Sequence, residues 1–161
     1  MLNCGIVGLG WWGQVLARSI IGSNKIKIEK GFTRTPSNAA EFIEETKLEM
    51  CDSYEAMLQE KSIEAVILAT PHSMHLEQIK LAANAGKHIF VEKPITLSLK
   101  DSREALEVAR QAGVELAVGF QRRGHPSMVK ALSAVRDGKI GRIIHVEGHQ
   151  SAPGLRIYKP G

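Results

Sequence analysis

The sequence predicts an α/β fold: a doubly wound parallel sheet of strand order 3-2-1-4-5-6 with helices on both faces. Three observations predict it. Short, β-branched apolar runs alternate with segments of helical periodicity, and that alternation requires right-handed crossovers between parallel strands. The first run leads directly into three glycines spaced Gly8-x-Gly10-x-x-Gly13. Gly22, Gly86, Gly113 and Gly138 each follow a helical run, where a left-handed residue closes a helix.

In chain order, Leu2–Val7 is the first strand, apolar enough to be buried on both faces. It opens into "GLGWWG". Gly8 allows the tight turn, Gly10 lets backbone approach a pyrophosphate, and Gly13 lets the next helix, residues 14–21, pack closely on the strand. Amide N–H groups and the helix dipole would then face the phosphates. A plain strand-to-helix turn could use the same glycines, but the strand before and the helix after favour a dinucleotide. Trp11 and Trp12 fill the intervening positions. One indole is expected simply to pack, and at least one to roof the cofactor or the substrate pocket.

The second strand, Ile26–Phe32, ends in "TRTP". A carboxylate at this point would pair with a free ribose 2′-OH. Thr33 followed by Arg34 instead suits a 2′-phosphate, so NADP is favoured over NAD unless Arg34 simply faces water. Thr35 can cap a helix starting at Pro36, with Ala39, Ala40, Phe42 and Ile43 turned inward. A weaker strand sits near residues 48–51.

The fourth strand, residues 65–69, turns out through Thr70, Pro71 and His72, with Pro71 early in the next helix. His72 and His75 lack a third ligand at suitable spacing, so no metal is expected. One of them is expected at the ribose or substrate, the other in solvent. The fifth strand, His88–Val91, ends at Glu92-Lys93-Pro94. At this strand end an ammonium can orient a hydroxyl or carbonyl oxygen and stabilise charge developing on it, with Glu92 balancing its charge. Elsewhere in the chain, a lysine before a turn proline would be read as surface.

Ser98 and Asp101 form a variant capping box, with Ser102, Ala105, Leu106 and Ala109 on one helical face. The sixth strand, residues 115–119, leads into "GFQRRGHP". Gln121, Arg122 and Arg123 could reach a polyhydroxylated or acidic substrate or the ring carboxamide, one arginine pointing to solvent. His125 before Pro126 begins a helix. In residues 142–150, Ile144 and Val146 alternate with Ile143, His145, Glu147 and His149. This trailing strand would join the sheet edge or open a second sheet. The simpler account of its polar face is an exposed or interface surface rather than metal.

The net charge of +4 and pI near 9.2 come without any run of like charge. A phosphate-bearing small ligand or a solvated surface accounts for the excess, and no nucleic-acid partner is expected. Cys4 and Cys51 are the only cysteines and read as reduced and structural. The first strand begins almost at Met1, leaving no room for a signal segment. No apolar run approaches the ~20 residues of a membrane span. The expectation is a cytoplasmic protein without a membrane partner.

"GLGWWG", "ATPHSMHLEQIKLAANAGKHIFVEKPITLSL" and "GFQRRGHP" resemble the glucose–fructose oxidoreductase / inositol dehydrogenase / MocA (Gfo/Idh/MocA) family over nearly the whole chain. "AGKHIFVEKP" is the most specific part. The resemblance implies NAD(P)-dependent hydride transfer at a hydroxyl or carbonyl of a sugar, inositol or related polyol. It implies cofactor contacts at Gly8 to Gly13, Thr33, Arg34, Thr70 to His75 and Glu92, an active-site role for Lys93, and a cis peptide before Pro94. It also implies a second α/β domain that binds substrate, supplies a proton-transfer histidine and makes homo-oligomer contacts in the full-length form. Residues 1–138 are therefore expected to be the dinucleotide domain and 139–161 the start of that second domain, with no turnover from this portion alone. A non-catalytic dinucleotide-binding module is the alternative. A methyltransferase would leave "VEKP" unexplained.

Overall fold

The computed structural model describes residues 1–149, which divide into a compact unit over Met1–Phe120 and a second unit from Gln121 onward. The last strand hydrogen-bonded into the sheet ends at Val118.

In the first unit, strands β1 (Leu2–Val7), β2 (Ile26–Phe32), β3 (Glu49–Met50), β4 (Ala65–Leu68), β5 (His88–Val91) and β6 (Leu116–Val118) form one sheet. Its order is β3-β2-β1-β4-β5-β6, with every neighbouring pair parallel. This is the doubly wound arrangement that the alternation of runs predicts, and strand order reverses between β1 and β4. Five helices cover the sheet: α1 (Trp11–Ile20), α2 (Ala40–Thr46), α3 (Tyr54–Gln59), α4 (His75–Asn84) and α5 (Leu99–Ala112).

Successive strand residues feed two cores, as the period of two requires. Val66 and Leu68 join Ile79, Ala82, Ile89 and Ala105 beneath α3, α4 and α5. Ala65 and Ile67 join Cys4, Ile6, Ala17 and Phe42 beneath α1 and α2. β4 is thus buried throughout and β1 over its last four residues, which is why they read as unbroken apolar runs, whereas β2 exposes Ile26 and Lys27 and carries Glu29 and Lys30. All four predicted helix-stop glycines have positive φ.

Several local expectations change. α1 begins at Trp11, not Gln14, so both tryptophans lie in its first turn. Thr35 makes no side-chain cap. A 3-10 turn over Pro36–Ala39 precedes α2 and is closed by main chain, Asn38 N–H donating to Thr35 O at 3.1 Å. Ala39 and Phe42 face inward, whereas Ala40 is exposed. On α5 the Ser98 hydroxyl accepts from Asp101 N at 3.0 Å, and Ala105 and Ala109 are buried. Leu106 is 55% exposed, because two small residues already complete the inward face.

The second unit holds a 3-10 turn over Gln121–Gly124 and helix α6 (Pro126–Arg136). His125 begins α6 as expected, its Nδ1 accepting from Ser127 N at 3.3 Å. Residues 142–149 carry no strand, contrary to their alternation. A strand exists through ladder bonds to a neighbour, and none pairs with this segment among the described residues; Ile144 and Val146 are exposed. His149 Nε2 lies 2.7 Å from Glu147 Oε1, and no group of three metal-binding side chains occurs among the described residues. Gln150 lies outside them. No described helix is long and apolar enough to cross a membrane.

Candidate functional site

Four main-chain hydrogen bonds align the ends of the strands. Gly8 N–H donates to Phe32 O at 2.8 Å and Ala69 N–H to Val7 O at 2.8 Å. Glu92 N–H donates to Leu68 O at 3.0 Å and Gly119 N–H to Val91 O at 2.9 Å. Each donor is the first residue beyond its strand. The glycine turn, the Thr70 turn and the Lys93 corner therefore leave the sheet along one carboxyl rim, beside the point where strand order reverses. In open α/β sheets that rim is where ligands bind.

The glycine turn is built by close approach. Gly8 has φ +92°, and a Cβ there would stand 2.6 Å from Ala69 O. A Cβ on Gly13 would stand 1.9 Å from Gly8 O, so the helix start sits directly on the turn. A Cβ on Gly10 would meet nothing within 4 Å: open space lies above that backbone. Gln14 braces the turn, its Nε2 donating to Leu9 O at 3.1 Å. The first turn of α1 contains no acidic residue and no side-chain cap, so its amides and dipole remain available to an anion. This combination fits a dinucleotide pyrophosphate.

Trp11 is 74% exposed and Trp12 half-buried, their ring centroids 5.4 Å apart and tilted by 43°. Trp11 is thus the indole free to roof a ligand. Trp12 packs, its Nε1 enclosed without a hydrogen-bond partner among the described residues. At the end of β2, Thr33 is half-buried and Arg34 exposed.

Beyond β4, His72 lies exposed in a 3-10 turn over His72–Met74. Burial pushes its imidazole pKa down, and the charges of His75 and Lys93 push it further, with Glu92 opposing. The His72 and His75 rings stand edge to face with centroids 5.5 Å apart. Glu92 is buried, its carboxylate accepting from Lys93 N at 3.2 Å. Lys93 is exposed and precedes Pro94 through a cis peptide. A Cβ on Gly119 would lie 2.6 Å from Glu92 Oε1, so the end of β6 makes room for that carboxylate.

His75 departs from the expected direct contact with cofactor. Its side chain is fully buried, and its ring nitrogens face backbone carbonyls on both sides. Thr70 is likewise tied inward, its hydroxyl donating to Gln78 Oε1. Tyr54 OH donates to Gln78 O at 2.9 Å, and burial raises the Tyr54 pKa strongly. Gln78 carries no motif in the sequence, and its one signal is its place one helical turn after His75 on the same buried face of α4. Gln121 and Arg122 belong to the second unit and are exposed. Two cavities, of about 900 and 380 Å³, are lined by neither the glycine turn nor Lys93.

Comparison with known proteins agrees with this layout. A profile described as an oxidoreductase family, NAD-binding Rossmann fold, matches residues 2–120. The scyllo-inositol 2-dehydrogenase (NAD(+)) of Bacillus subtilis is 36% identical over 164 residues, spanning 98% of this chain and 48% of that protein. The 2,7-anhydro-N-acetylneuraminate hydratase of Escherichia coli is 32% identical over 144 residues, spanning 89% of this chain and 38% of that protein. Scyllo-inositol dehydrogenase of Lactobacillus casei, solved with NAD(H) and scyllo-inositol bound, superposes with TM-score 0.80 at 33% identity, covering 88% of this chain and 42% of that one. The chain spans about half, or less, of the length of these relatives.

Proposed function

The chain belongs to the Gfo/Idh/MocA oxidoreductase family and carries its NAD-binding Rossmann fold; from that premise we propose that it is the cofactor-binding portion of a dehydrogenase acting on a sugar, inositol or related polyol. The observation that supports this reading most is the shared rim, where four hydrogen bonds set the glycine turn, the Thr70 turn and the Lys93 corner side by side.

A nicotinamide dinucleotide, when bound, supplies the hydride acceptor or donor. The amides of residues 10 to 13 hold its pyrophosphate, with Gly10 leaving room for it. Thr33 and Arg34 read the adenosine ribose, and the guanidinium favours NADP over NAD. Thr70, Pro71 and His72 border the second ribose, and Trp11 covers the crevice. Lys93 donates a hydrogen bond to the reacting oxygen of the substrate and stabilises negative charge as it develops there. Glu92 keeps a carboxylate beside that ammonium. Gln121 and Arg122 belong to this reading on sequence position alone, at the carboxamide and the substrate.

Residues 139–161 are read as the start of the substrate domain, in which homo-oligomer contacts would also lie. On that reading the 161-residue chain binds dinucleotide and turns over no substrate. Titration with NADPH and NADH, followed by an assay against a panel of sugars and inositols, tests both halves. Failure to bind either nucleotide would overturn the proposal. Binding without turnover also fits the non-catalytic module, which Lys93→Ala in a chain joined to its substrate domain separates from the dehydrogenase.

A further inference from the structure

His75 is the first residue of α4, and no part of it is exposed. Nδ1 lies 2.9 Å from Pro94 O and 3.2 Å from Ile95 O, while Nε2 lies 3.1 Å from Thr70 O. The ring therefore spans two separate turns: the one that leaves β4 and the one that carries Lys93 away from β5. All three oxygens are backbone carbonyls, which only accept, so the ring bonds both turns at once only with a proton on each nitrogen. A side chain filling space would need no such partners, and a cofactor ligand would keep one nitrogen toward the crevice. We propose that His75 is a positioning residue: it clamps the Thr70 turn to the Lys93–Pro94 corner and so sets where the lysine stands relative to the bound dinucleotide.

The surroundings support a clamp. Thr70 is anchored independently through its hydroxyl to Gln78, and Gln78 through its carbonyl to Tyr54. One arm of His75 thus rests on a fixed base. The other arm grips Pro94 and Ile95, one and two residues beyond Lys93. Both of these bonds run from the imidazole to the Pro94–Ile95 backbone, so removing the imidazole loosens that corner while the base stays tied.

This inference rests on the dinucleotide reading for its functional consequence, though not for the clamp itself. The test uses His75→Phe, which keeps a ring without donors, and His75→Asn, which can reach one turn only. Each is examined by far-UV circular dichroism, by backbone amide NMR and by titration with NADH and NADPH. The expected result is a folded protein in which the amide resonances of Thr70, Lys93 and Ile95 shift together while those of Val66 and Ile89 hold. Dinucleotide Kd should change little, as for Lys93→Ala, whereas in a chain joined to its substrate domain the rate of hydride transfer should fall about tenfold or more. Unchanged Lys93 and Ile95 resonances in a folded His75→Phe protein would overturn the proposal.

Should both variants fail to fold, the wild-type chain still decides the matter. The clamp requires a slowly exchanging N–H on each ring nitrogen of His75, Nδ1–H with cross-relaxation to the Pro94–Ile95 backbone and Nε2–H with cross-relaxation to that of Thr70. Rapid exchange of the ring protons would overturn it. A wild-type chain that shows this resonance but binds neither nucleotide would leave the clamp standing and overturn the dinucleotide reading instead.

Discussion

Gly10→Ala separates the fold from the ligand site more sharply than any other single substitution at the rim. Gly10 has φ −66° and ψ 179°, an extended conformation that alanine adopts freely, and its added Cβ would meet nothing within 4 Å. Folding should therefore gain about 0.4–1 kcal/mol from the stiffer unfolded chain, raising Tm by about 1–4 °C at this chain size. The same methyl group occupies the space through which a pyrophosphate approaches. An overpacked contact costs about 1–3 kcal/mol, so Kd for NADH and NADPH alike should rise about 5- to 150-fold. Gly13→Ala supplies the contrast, since its Cβ would stand 1.9 Å from Gly8 O and 3.0 Å from Gly8 C. Neither backbone atom can yield without moving the turn, and Tm should fall by about 2–12 °C without any ligand. Thermal unfolding and calorimetric titration of the two variants read both effects. A Gly10→Ala chain that binds both nucleotides as tightly as wild type would refute the reasoning, because the phosphates would then lie somewhere other than on this turn.

Arg34→Ala should raise the NADPH Kd by about 10- to 150-fold through loss of charge-assisted hydrogen bonds and leave NADH nearly unchanged; competitive titration decides, and equal losses would remove the NADP preference. Lys93→Ala, in a chain joined to its substrate domain, should lower the rate of hydride transfer by about 10²- to 10⁴-fold with little change in dinucleotide Kd, as single-turnover absorbance would report. Burial, aided by Glu64, pushes the Cys4 thiol from its ordinary 9.0 to about 11. Between those values the unfolded chain loses this proton and the folded chain keeps it. The contribution to stability is therefore whole below pH 9 and falls by about 1.4 kcal/mol per pH unit from 9 to 11; denaturant midpoints whose fall over this range is smaller by that amount in Cys4→Ala than in wild type would bear it out, the raised Tyr54 and Cys51 supplying the slope that remains.

The parts of this molecule that local chemistry dictates were legible in the sequence, and the parts that depend on an absent or distant neighbour were not. A buried parallel strand must be apolar on both faces, so β1 and β5 emerge with their observed bounds. The four helix stops need a left-handed residue, and glycine supplies it at each. Residues 142–149 show the opposite case. Their alternation is genuine, yet a strand is a property of two segments, and among the described residues no second one pairs with them.

The site divides along the same line. Which turns would meet a ligand follows from strand order alone, since order 3-2-1-4-5-6 puts the ends of β1, β4 and β5 side by side. Which side chains at those turns face outward does not follow. His72 and His75 are the same residue type three positions apart, and only the packing of α4 turns one to the surface and buries the other between two turns. A histidine that enters the first turn of a helix whose next buried position is a glutamine carries the available hint: two polar side chains on one inward face must find partners, and here those partners are the backbone of the neighbouring turn and corner. The lysine corner is then held from behind by α4 as well as from below by the sheet, and its placement belongs to the fold rather than to the ligand.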